Sequence, residues 1–174
     1  SVINYLKSKN IKTILLNGDG RKKSELIAKQ LGIDEVIAEQ TPEQKLEVVE
    51  RLNKSAPTAM VGDGINDAPA LAQSSVGIAM GAAGSDTAIE TANIALMNDK
   101  LSLIPFLIRL SQKTLRRIKF NTIGAIAVKL IFITLAFIGY SNLVFAIAAD
   151  VGVTLIVILT SLNLMKFENT IASN

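Results

Sequence analysis

Two patterns of hydrophobic residues divide the chain into a front part and a rear part. Over residues 1–100, apolar runs of four or five residues alternate with segments of helical period, and Gly, Asp or Asn follows several of the runs. Short apolar runs bounded by turn residues are typical of strands buried on both faces of a parallel sheet. Over residues 121–166 the apolar residues are almost continuous.

The front part predicts alternating strands and helices. This alternation implies right-handed crossovers and a parallel, doubly wound α/β sheet, a Rossmann-like arrangement. A capping box, Thr41-Pro42-Glu43-Gln44, predicts where one helix begins. The predicted strands are 13–16, 35–38, 58–61, 76–80 and 94–97, and the predicted helices are 2–9, 22–31, 41–53, 68–73 and 86–92.

The rear part predicts a basic amphipathic linker helix at 101–120 and a transmembrane helix pair at 121–166, followed by a tail at 167–174. Within the pair, the helix at 121–139 would be about 28 Å long, close to the roughly 30 Å hydrocarbon core of a bilayer. A second helix at 143–165 follows after three residues, which predicts a tight antiparallel hairpin. A buried helical hairpin of a soluble protein is the alternative.

Charge is distributed as unevenly as hydrophobicity. Residues 1–120 contain 16 of the 18 Lys and Arg, and five basic residues precede the apolar region: Arg109, Lys113, Arg116, Arg117 and Lys119. The positive-inside rule places such a cluster, and with it the front part, in the cytoplasm. A nucleic-acid patch is the competing interpretation, and we expect no nucleic-acid partner.

Composition narrows the chemistry. The hydrophobic fraction of 49% and charged fraction of 19% exclude a disordered chain. The chain contains neither Cys nor His, which excludes disulfides, zinc ribbons, thiol catalysis and a histidine base. Any chemistry of this chain must therefore use carboxylates, lysines, hydroxyls and backbone groups.

The segment 62–67, Gly-Asp-Gly-Ile-Asn-Asp, concentrates these groups after a predicted strand. Ligands of doubly wound sheets bind outside the carboxyl ends of the strands. Asp63 and Asp67 can converge on a hard cation such as Mg²⁺, and Lys45 can reach an anionic group held by that cation. Together they would stabilise a phosphoryl group in transfer. A solvated Asp/Gly turn is the alternative.

Three segments resemble motifs of the P-type ATPases, within the haloacid-dehalogenase-like superfamily. Residues 60–71, MVGDGINDAPAL, closely resemble the hinge signature of that family. Residues 41–45, TPEQK, resemble the segment of its phosphate-stabilising lysine, and residues 15–19, LLNGD, resemble its TGD motif. The resemblance covers essentially the whole chain. It implies a haloacid-dehalogenase-like partial domain over 1–100, followed by the transmembrane helix pair.

The resemblance implies a role for each matched residue. Asp63 would bind Mg²⁺, while Asn66 and Asp67 would order the loop around it. Lys45 would contact the phosphoryl group, and the nucleotide and phosphate side of the site, which implies ATP, would include Asn17, Gly18 and Asp19. Asn17 stands where the family usually has Thr or Ser, and its amide can still donate to a phosphoryl oxygen.

Two ionisable residues lie inside the predicted spans, Lys129 and Asp150. Such residues are costly in a bilayer and by default indicate function. Their predicted depths differ by only about 4 Å, so they can pair across the hairpin. With Thr154 and Ser161, Asp150 forms one polar stripe. A structural ion pair is the alternative.

The two residues also resemble a pattern of zinc, cadmium and lead exporters. There an Asp of a DxG motif in the last membrane helix binds the metal, and a Lys in the helix before it helps release the metal. Asp150-Val-Gly152 and Lys129 match this pattern. The Tyr-Asn and Met-Ser-Ser patterns of copper exporters do not occur, so a copper pump is the weaker alternative.

The family's DKTGT motif does not occur in these residues, nor do its nucleotide-binding domain and Cys-Pro pair. We therefore interpret the chain as the C-terminal piece of a pump, whether truncated, split or a segment of a longer protein. Its partners would be the remainder of the pump, with the nucleotide-binding and actuator domains and the earlier membrane helices, and the lipid bilayer. Alone it should be inactive. Two competing hypotheses are an inactive subunit and a membrane-anchored phosphatase. The phosphatase would need its own nucleophilic Asp in a DxD or DxT motif.

Overall fold

The computed structural model describes residues 1–64, 66–80, 90–96, 100–139 and 143–162, except for the side chains of Leu143 and Ala146. It divides into two compact units, Ser1–Phe106 and Leu107–Asn174.

The first unit is an α/β domain whose elements follow the predicted order. All five predicted strands are confirmed, with ends shifted by at most one residue. Residues 81–89 and 97–99 lie outside the described residues, and with them most of the predicted helix at 86–92. The strands are β1 (Ile14–Leu16), β2 (Glu35–Ile37), β3 (Ala59–Gly62), β4 (Val76–Met80) and β5 (Ile94–Leu96), and the helices are α1 (Val2–Ser8), α2 (Arg21–Leu31), α3 (Pro42–Ser55) and α4 (Ala68–Gln73).

Local sequence explains where the helices begin and end. The capping box is present: Gln44 N donates to Thr41 Oγ1 at 3.3 Å, and Thr41 N donates to Gln44 Oε1 at 2.9 Å. These bonds satisfy two backbone donors at the start of α3. At the end of α2, Gly32 adopts a left-handed conformation with φ of 74°, which glycine reaches without a steric penalty.

The hydrogen bonds form two ladders, and within each ladder the strands are parallel, as predicted. One ladder joins β1 and β2, and the other has the order β3-β4-β5. Both contribute to a single core, because Leu16 of β1 packs against the buried cluster of Val49, Met60, Ala70 and Leu71. The two loops of interest therefore leave strands that share one core.

Glycine brings β4 against α4. A Cβ atom on Gly77 would lie 2.6 Å from the carbonyl oxygen of Leu71, which is closer than real Cβ atoms approach. Leu71 itself is fully buried. The absent side chain at position 77 thus allows the helix that follows the 63–67 loop to lie directly on the sheet.

The remaining helices are a long α5 (Ile104–Phe137), preceded by the 3₁₀ turn Leu101–Leu103, and α6 (Leu143–Leu162). The predicted linker helix at 101–120 and the predicted first span are one continuous helix, so the boundary at 120/121 is not a break. Leu101–Phe137 is long and apolar enough to cross a membrane, whereas Ile147–Leu162 counts as a shorter apolar helix. The predicted tail at 167–174 lies outside the described residues.

Candidate active site and membrane ion pair

The two predicted acidic loops both leave the carboxyl ends of strands. Residues 17–20 follow β1 and connect it to α2, and residues 63–67 follow β3 and connect it to α4. Ligands of doubly wound domains bind outside the carboxyl ends of strands, and both loops lie at such ends.

The most buried ion pair of the loop region joins Lys45 to Asp67. Lys45 Nζ lies 2.7 Å from Asp67 Oδ1, and the two side chains are only 14% and 17% exposed. Lys45 stands in the first turn of α3, just after the capping box, while Asp67 stands at the N-terminus of α4. Partial burial reduces screening by solvent, so this pair ties α3 firmly to the end of the 63–67 loop.

Glycines allow the loop to fold around Asp67. A Cβ atom on Gly62 would lie 3.1 Å from Asp67 Oδ2, so the backbone passes close to this carboxylate. Gly64 has a φ of 74°, in the left-handed region that favours glycine. The Gly-Asp-Gly sequence is therefore needed for the shape of this turn.

Magnesium is the cation that the loop's donor set fits. Asp63 is exposed at the end of β3, and the neighbouring carboxylate of Asp67 contacts Lys45. Among the described residues, no three His, Cys, Asp or Glu side chains converge into a metal-binding group. Mg²⁺ does not require one, because it keeps several waters and binds through one or two carboxylates together with substrate phosphates. One exposed carboxylate on a glycine-rich turn can serve as such a carboxylate ligand.

The structure joins Asp67 to Lys45 through one carboxylate oxygen, Oδ1. The expectation that Asp67 also serves as a second magnesium ligand stays a prediction. The contact agrees with the other predicted role of Asp67, that of ordering the loop. Asn66 is exposed beside it.

The loop after β1 has a network that the sequence did not predict. Ser24, which is fully buried, donates through Oγ to Asn17 Oδ1 at 3.0 Å. This bond uses the amide oxygen of Asn17, and Nδ2 is the atom that remains to donate to a ligand. Asp19 pairs with Lys23 at 3.1 Å on an exposed surface. The i, i+4 spacing of Asp19 and Lys23 was a visible signal for this contact.

Gly18 also lies in this loop and is exposed. A Cβ atom there would lie 3.2 Å from the carbonyl oxygen of Gln40. Gln40 N in turn donates to the carbonyl oxygen of Asn17 at 3.1 Å. The β1 loop is therefore held against the segment that leads into α3.

In the second unit, the structure brings Lys129 and Asp150 together. Lys129 Nζ of α5 lies 3.1 Å from Asp150 Oδ1 of α6, and both side chains are more than half exposed. The pair borders a cavity of about 320 Å³. The other lining residues are apolar: Val128, Phe132, Ile133, Ala136, Ala149 and Val153.

The polar stripe of α6 makes mostly local hydrogen bonds. Thr154 Oγ1 donates to the carbonyl oxygen of Asp150, and Ser161 Oγ donates to that of Val157. Ser161 also faces α5, where Asn121 Nδ2 donates to its hydroxyl at 3.4 Å. Thr160 Oγ1 lies 3.0 Å from the carbonyl oxygen of Val157 and 3.3 Å from Asn121 Oδ1, so the two acceptors share its one hydroxyl proton. Sequence reasoning identified neither Asn121 nor Thr160.

Known proteins resemble the chain along most of its length. A sequence model of the family described as haloacid dehalogenase-like hydrolase matches residues 1–74. A probable cadmium-transporting ATPase of Listeria monocytogenes is 49% identical over 159 residues, which are 91% of this chain and 22% of that protein. A zinc-transporting ATPase of Synechocystis sp. is 43% identical over 158 residues, which are 89% of this chain and 22% of that protein.

The solved structures agree with these relatives. A zinc-transporting PIB-type ATPase in the E2.Pi state superposes with a TM-score of 0.88 at 40% identity, over 94% of this chain and 27% of that one. The chain thus spans only about a quarter or less of the relatives' length. It is a member of the P-type ATPase family, with the haloacid-dehalogenase-like fold in its first unit.

Proposed function

We propose that this chain is part of an ATP-driven export pump for zinc, cadmium or a similar divalent metal. Its first unit would be cytoplasmic and would supply the magnesium and phosphoryl-stabilising loop, while its second unit would supply two membrane helices. The Lys45–Asp67 ion pair beside the Gly-Asp-Gly turn carries this proposal. The names of the relatives, cadmium- and zinc-transporting ATPases, support the choice of metal.

At the phosphoryl site, each residue of the loop has a task that its position permits. Asp63 would hold Mg²⁺, which when bound neutralises charge on the phosphoryl oxygens. Asp67 orients the Lys45 ammonium through their 2.7 Å contact, so that Lys45 can act on the same phosphoryl group. Asn17 Nδ2 would donate a hydrogen bond from the loop after β1, while Ser24 fixes the orientation of its amide.

The remainder of the pump would supply what these 174 residues do not contain. No DKTGT sequence occurs in them, so the aspartate that accepts the phosphoryl group would come from another part of the protein. The nucleotide-binding and actuator domains and the other membrane helices belong to the same set of partners. We expect the isolated chain to incorporate no γ-phosphate from ATP.

A complete pump in which this chain replaces the matching segment of the Listeria relative tests the phosphoryl site. Asp63→Asn should abolish magnesium-dependent phosphoenzyme formation, because a neutral amide is a poor ligand for a hard cation. Radiolabel from the γ-phosphate of ATP measures the phosphoenzyme. Glu25→Gln removes the same charge from an exposed position of α2 and should leave the label unchanged. A normal label in Asp63→Asn would remove Asp63 from the site.

In the membrane unit, Asp150 would bind the transported metal and Lys129 would serve as its counter-ion and release group. An ionisable residue at the centre of a membrane helix costs about 2.5–3.5 kcal/mol on insertion scales. The observed pairing offsets part of that cost, and the adjacent 320 Å³ cavity gives the carboxylate access to a cation. Carboxylate oxygen is a common ligand of zinc.

Single and double substitutions in the same pump separate transport from a structural ion pair. Asp150→Ala should lose zinc-stimulated ATP hydrolysis while the pump still folds and inserts. Lys129→Ala should keep zinc binding but turn over slowly, because release is impaired. If the pair is only structural, each single variant leaves a charge unpaired in the bilayer and loses folded protein, and the double variant recovers it. That second pattern would contradict the metal site.

A further inference from the structure

The segment of α5 just before the predicted span forms a basic collar, which we define as Lys113, Arg116, Arg117 and Lys119. Helix α5 has 34 residues and is therefore about 51 Å long, against a hydrocarbon core of roughly 30 Å. About 20 Å of the helix must then extend beyond the hydrocarbon. The collar lies two to eight residues before the predicted span at 121, or about 3–12 Å from the hydrocarbon boundary.

This distance from the hydrocarbon boundary places most of the collar in the headgroup layer of a bilayer. The layer adds about 5–8 Å on each side of the hydrocarbon core, and the long side chains of Lys and Arg extend their charged ends along the helix toward it. The collar residues nearest the span lie within the layer, and Lys113 lies just outside it.

Three charges of the collar have no carboxylate partner among the residues that the structure describes. No Asp or Glu occurs between Asp99 and Asp150. In the parts of the chain that the structure describes, no carboxylate forms an ion pair with Arg116, Arg117 or Lys119. Arg116 and Lys119 are exposed, and Arg117 is half-buried. Within the described part of the chain, these three residues therefore present positive charge that no carboxylate pairs with.

Three of the four collar residues share one face of the helix with Phe120, whereas Lys119 lies about a third of a turn away. Lys113, Arg116, Arg117 and Phe120 follow the spacing i, i+3, i+4, i+7, which places them on the same side. Phe120 is 73% exposed and stands where the charged face meets the span. Ile118 lies on the opposite side of the helix. An aromatic ring below a row of basic residues matches the composition of helices that contact the membrane interface.

We propose that the basic collar is a binding site for the headgroups of anionic phospholipids. Clusters of four or more Lys and Arg directly beside a membrane helix attract anionic lipids. A lipid fits better than an acidic protein or a nucleic acid, because the charged face ends at the start of the span and lies at headgroup depth. The proposal rests on α5 crossing the membrane and is independent of any transported metal.

Lipid selectivity of the full 174-residue chain tests this site. The chain is reconstituted in phosphatidylcholine vesicles, and electron spin resonance measures how strongly spin-labelled phosphatidylglycerol associates with it relative to spin-labelled phosphatidylcholine. We expect a preference for phosphatidylglycerol of about fivefold, since one basic residue near an anionic surface contributes about that factor. High salt should reduce the preference, because it screens exposed charges.

Two variants assign the preference to the collar. Arg116→Gln/Arg117→Gln/Lys119→Gln should bring the ratio close to one. Lys22→Gln/Lys29→Gln/Lys54→Gln removes the same charge from exposed positions of the first unit and should keep the wild-type ratio. Arg116→Lys/Arg117→Lys retains the positive charge and should also keep the wild-type ratio. This variant keeps the test possible if the neutral variant fails to insert.

Three results would overturn the proposal. One is a wild-type chain without preference for phosphatidylglycerol. Another is an equal loss of preference in the collar variant and in the variant of the first unit, which would mean that net charge alone attracts the lipid. The third is displacement of the spin-labelled lipid by inorganic phosphate at the same concentration, which would assign the collar to a free anion.

Discussion

Asp34 joins three parts of the first unit through its carboxylate. Oδ2 accepts hydrogen bonds from Thr13 Oγ1 at 2.7 Å and from Thr13 N at 2.9 Å, and Oδ1 lies 3.1 Å from Lys7 Nζ. The hydrogen bond from the Thr13 side chain, followed by that from its backbone and by Lys7, lowers the pKa of Asp34 from 3.8 to about 2. These contacts hold α1 and the starts of β1 and β2 together.

A lowered pKa predicts how stability depends on pH. The ionised carboxylate stabilises the folded state above pH 3.8, and this contribution is lost as the pH falls from 3.8 to about 2. Asp34→Asn should therefore lower the urea midpoint of the detergent-solubilised chain at neutral pH. The difference from wild type should shrink as the pH approaches 2. Circular dichroism of the unfolding transition measures both.

The matched control for this prediction is Glu25→Gln, which removes a carboxylate from an exposed position of α2. Its midpoint should stay close to that of wild type at every pH. A constant difference between wild type and Asp34→Asn from neutral pH down to pH 2 would show that the charge of Asp34 does not contribute through these bonds.

Residue identities in the loops were readable from the sequence, but their partners were not. The Gly-Asp-Gly motif and the lysine of the TPEQK segment stand out in one dimension. The contact between Lys45 and Asp67 depends on α3 and α4 packing on one core, and Ser24 appears in the sequence only as a helix residue. A sequence pattern gives spacing along the chain, whereas pairing depends on how the elements pack.

At the scale of elements, helix starts and strand positions were predictable because their signals are local. The capping box and the turn residues after each strand act within a few positions. Two features escaped prediction. The division into two ladders depends on hydrogen bonds between strands far apart in sequence. The continuity of α5 is hidden in the sequence because polar Asn121 marks a change of composition, although neither Pro nor Gly interrupts the helix there.

Asn121 instead links α5 to α6. Its amide contacts Ser161 and Thr160, eight residues along α5 from the Lys129–Asp150 pair. Asn121→Leu should weaken the association of the two helices, and such contacts are worth roughly 0.6 kcal/mol on average in membrane proteins. Unfolding in sodium dodecyl sulphate measures the loss. In a double-mutant cycle with Ser161→Ala and Thr160→Val, the losses should be non-additive.

Thr134→Val is the matched control for the helix contact. Thr134 Oγ1 donates only to the carbonyl oxygen of Leu130 in its own helix, so its hydroxyl makes no described bond to α6. The variant should not couple to Ser161→Ala. Full additivity of Asn121→Leu with both α6 substitutions would show that the contact between the helices does not contribute to stability.

At the scale of the whole molecule, the chain combines a haloacid-dehalogenase-like domain with two apolar helices. The uneven distribution of charged and apolar residues predicted these two parts, and the described structure divides into two units. The sequence could not give the remainder of the proposed pump, since the chain spans 22% of the length of its Listeria relative. Function at this scale is therefore tested best in a complete pump.

The most direct measurement is the metal dependence of ATP hydrolysis by the pump that carries this chain in place of the matching Listeria segment. We expect Zn²⁺ or Cd²⁺ to stimulate hydrolysis, Cu⁺ to have no effect, and Asp150→Ala to remove the stimulation. Stimulation by Cu⁺ alone, or a folded and inserted pump that hydrolyses ATP equally with and without divalent metal, would contradict the proposed metal transport.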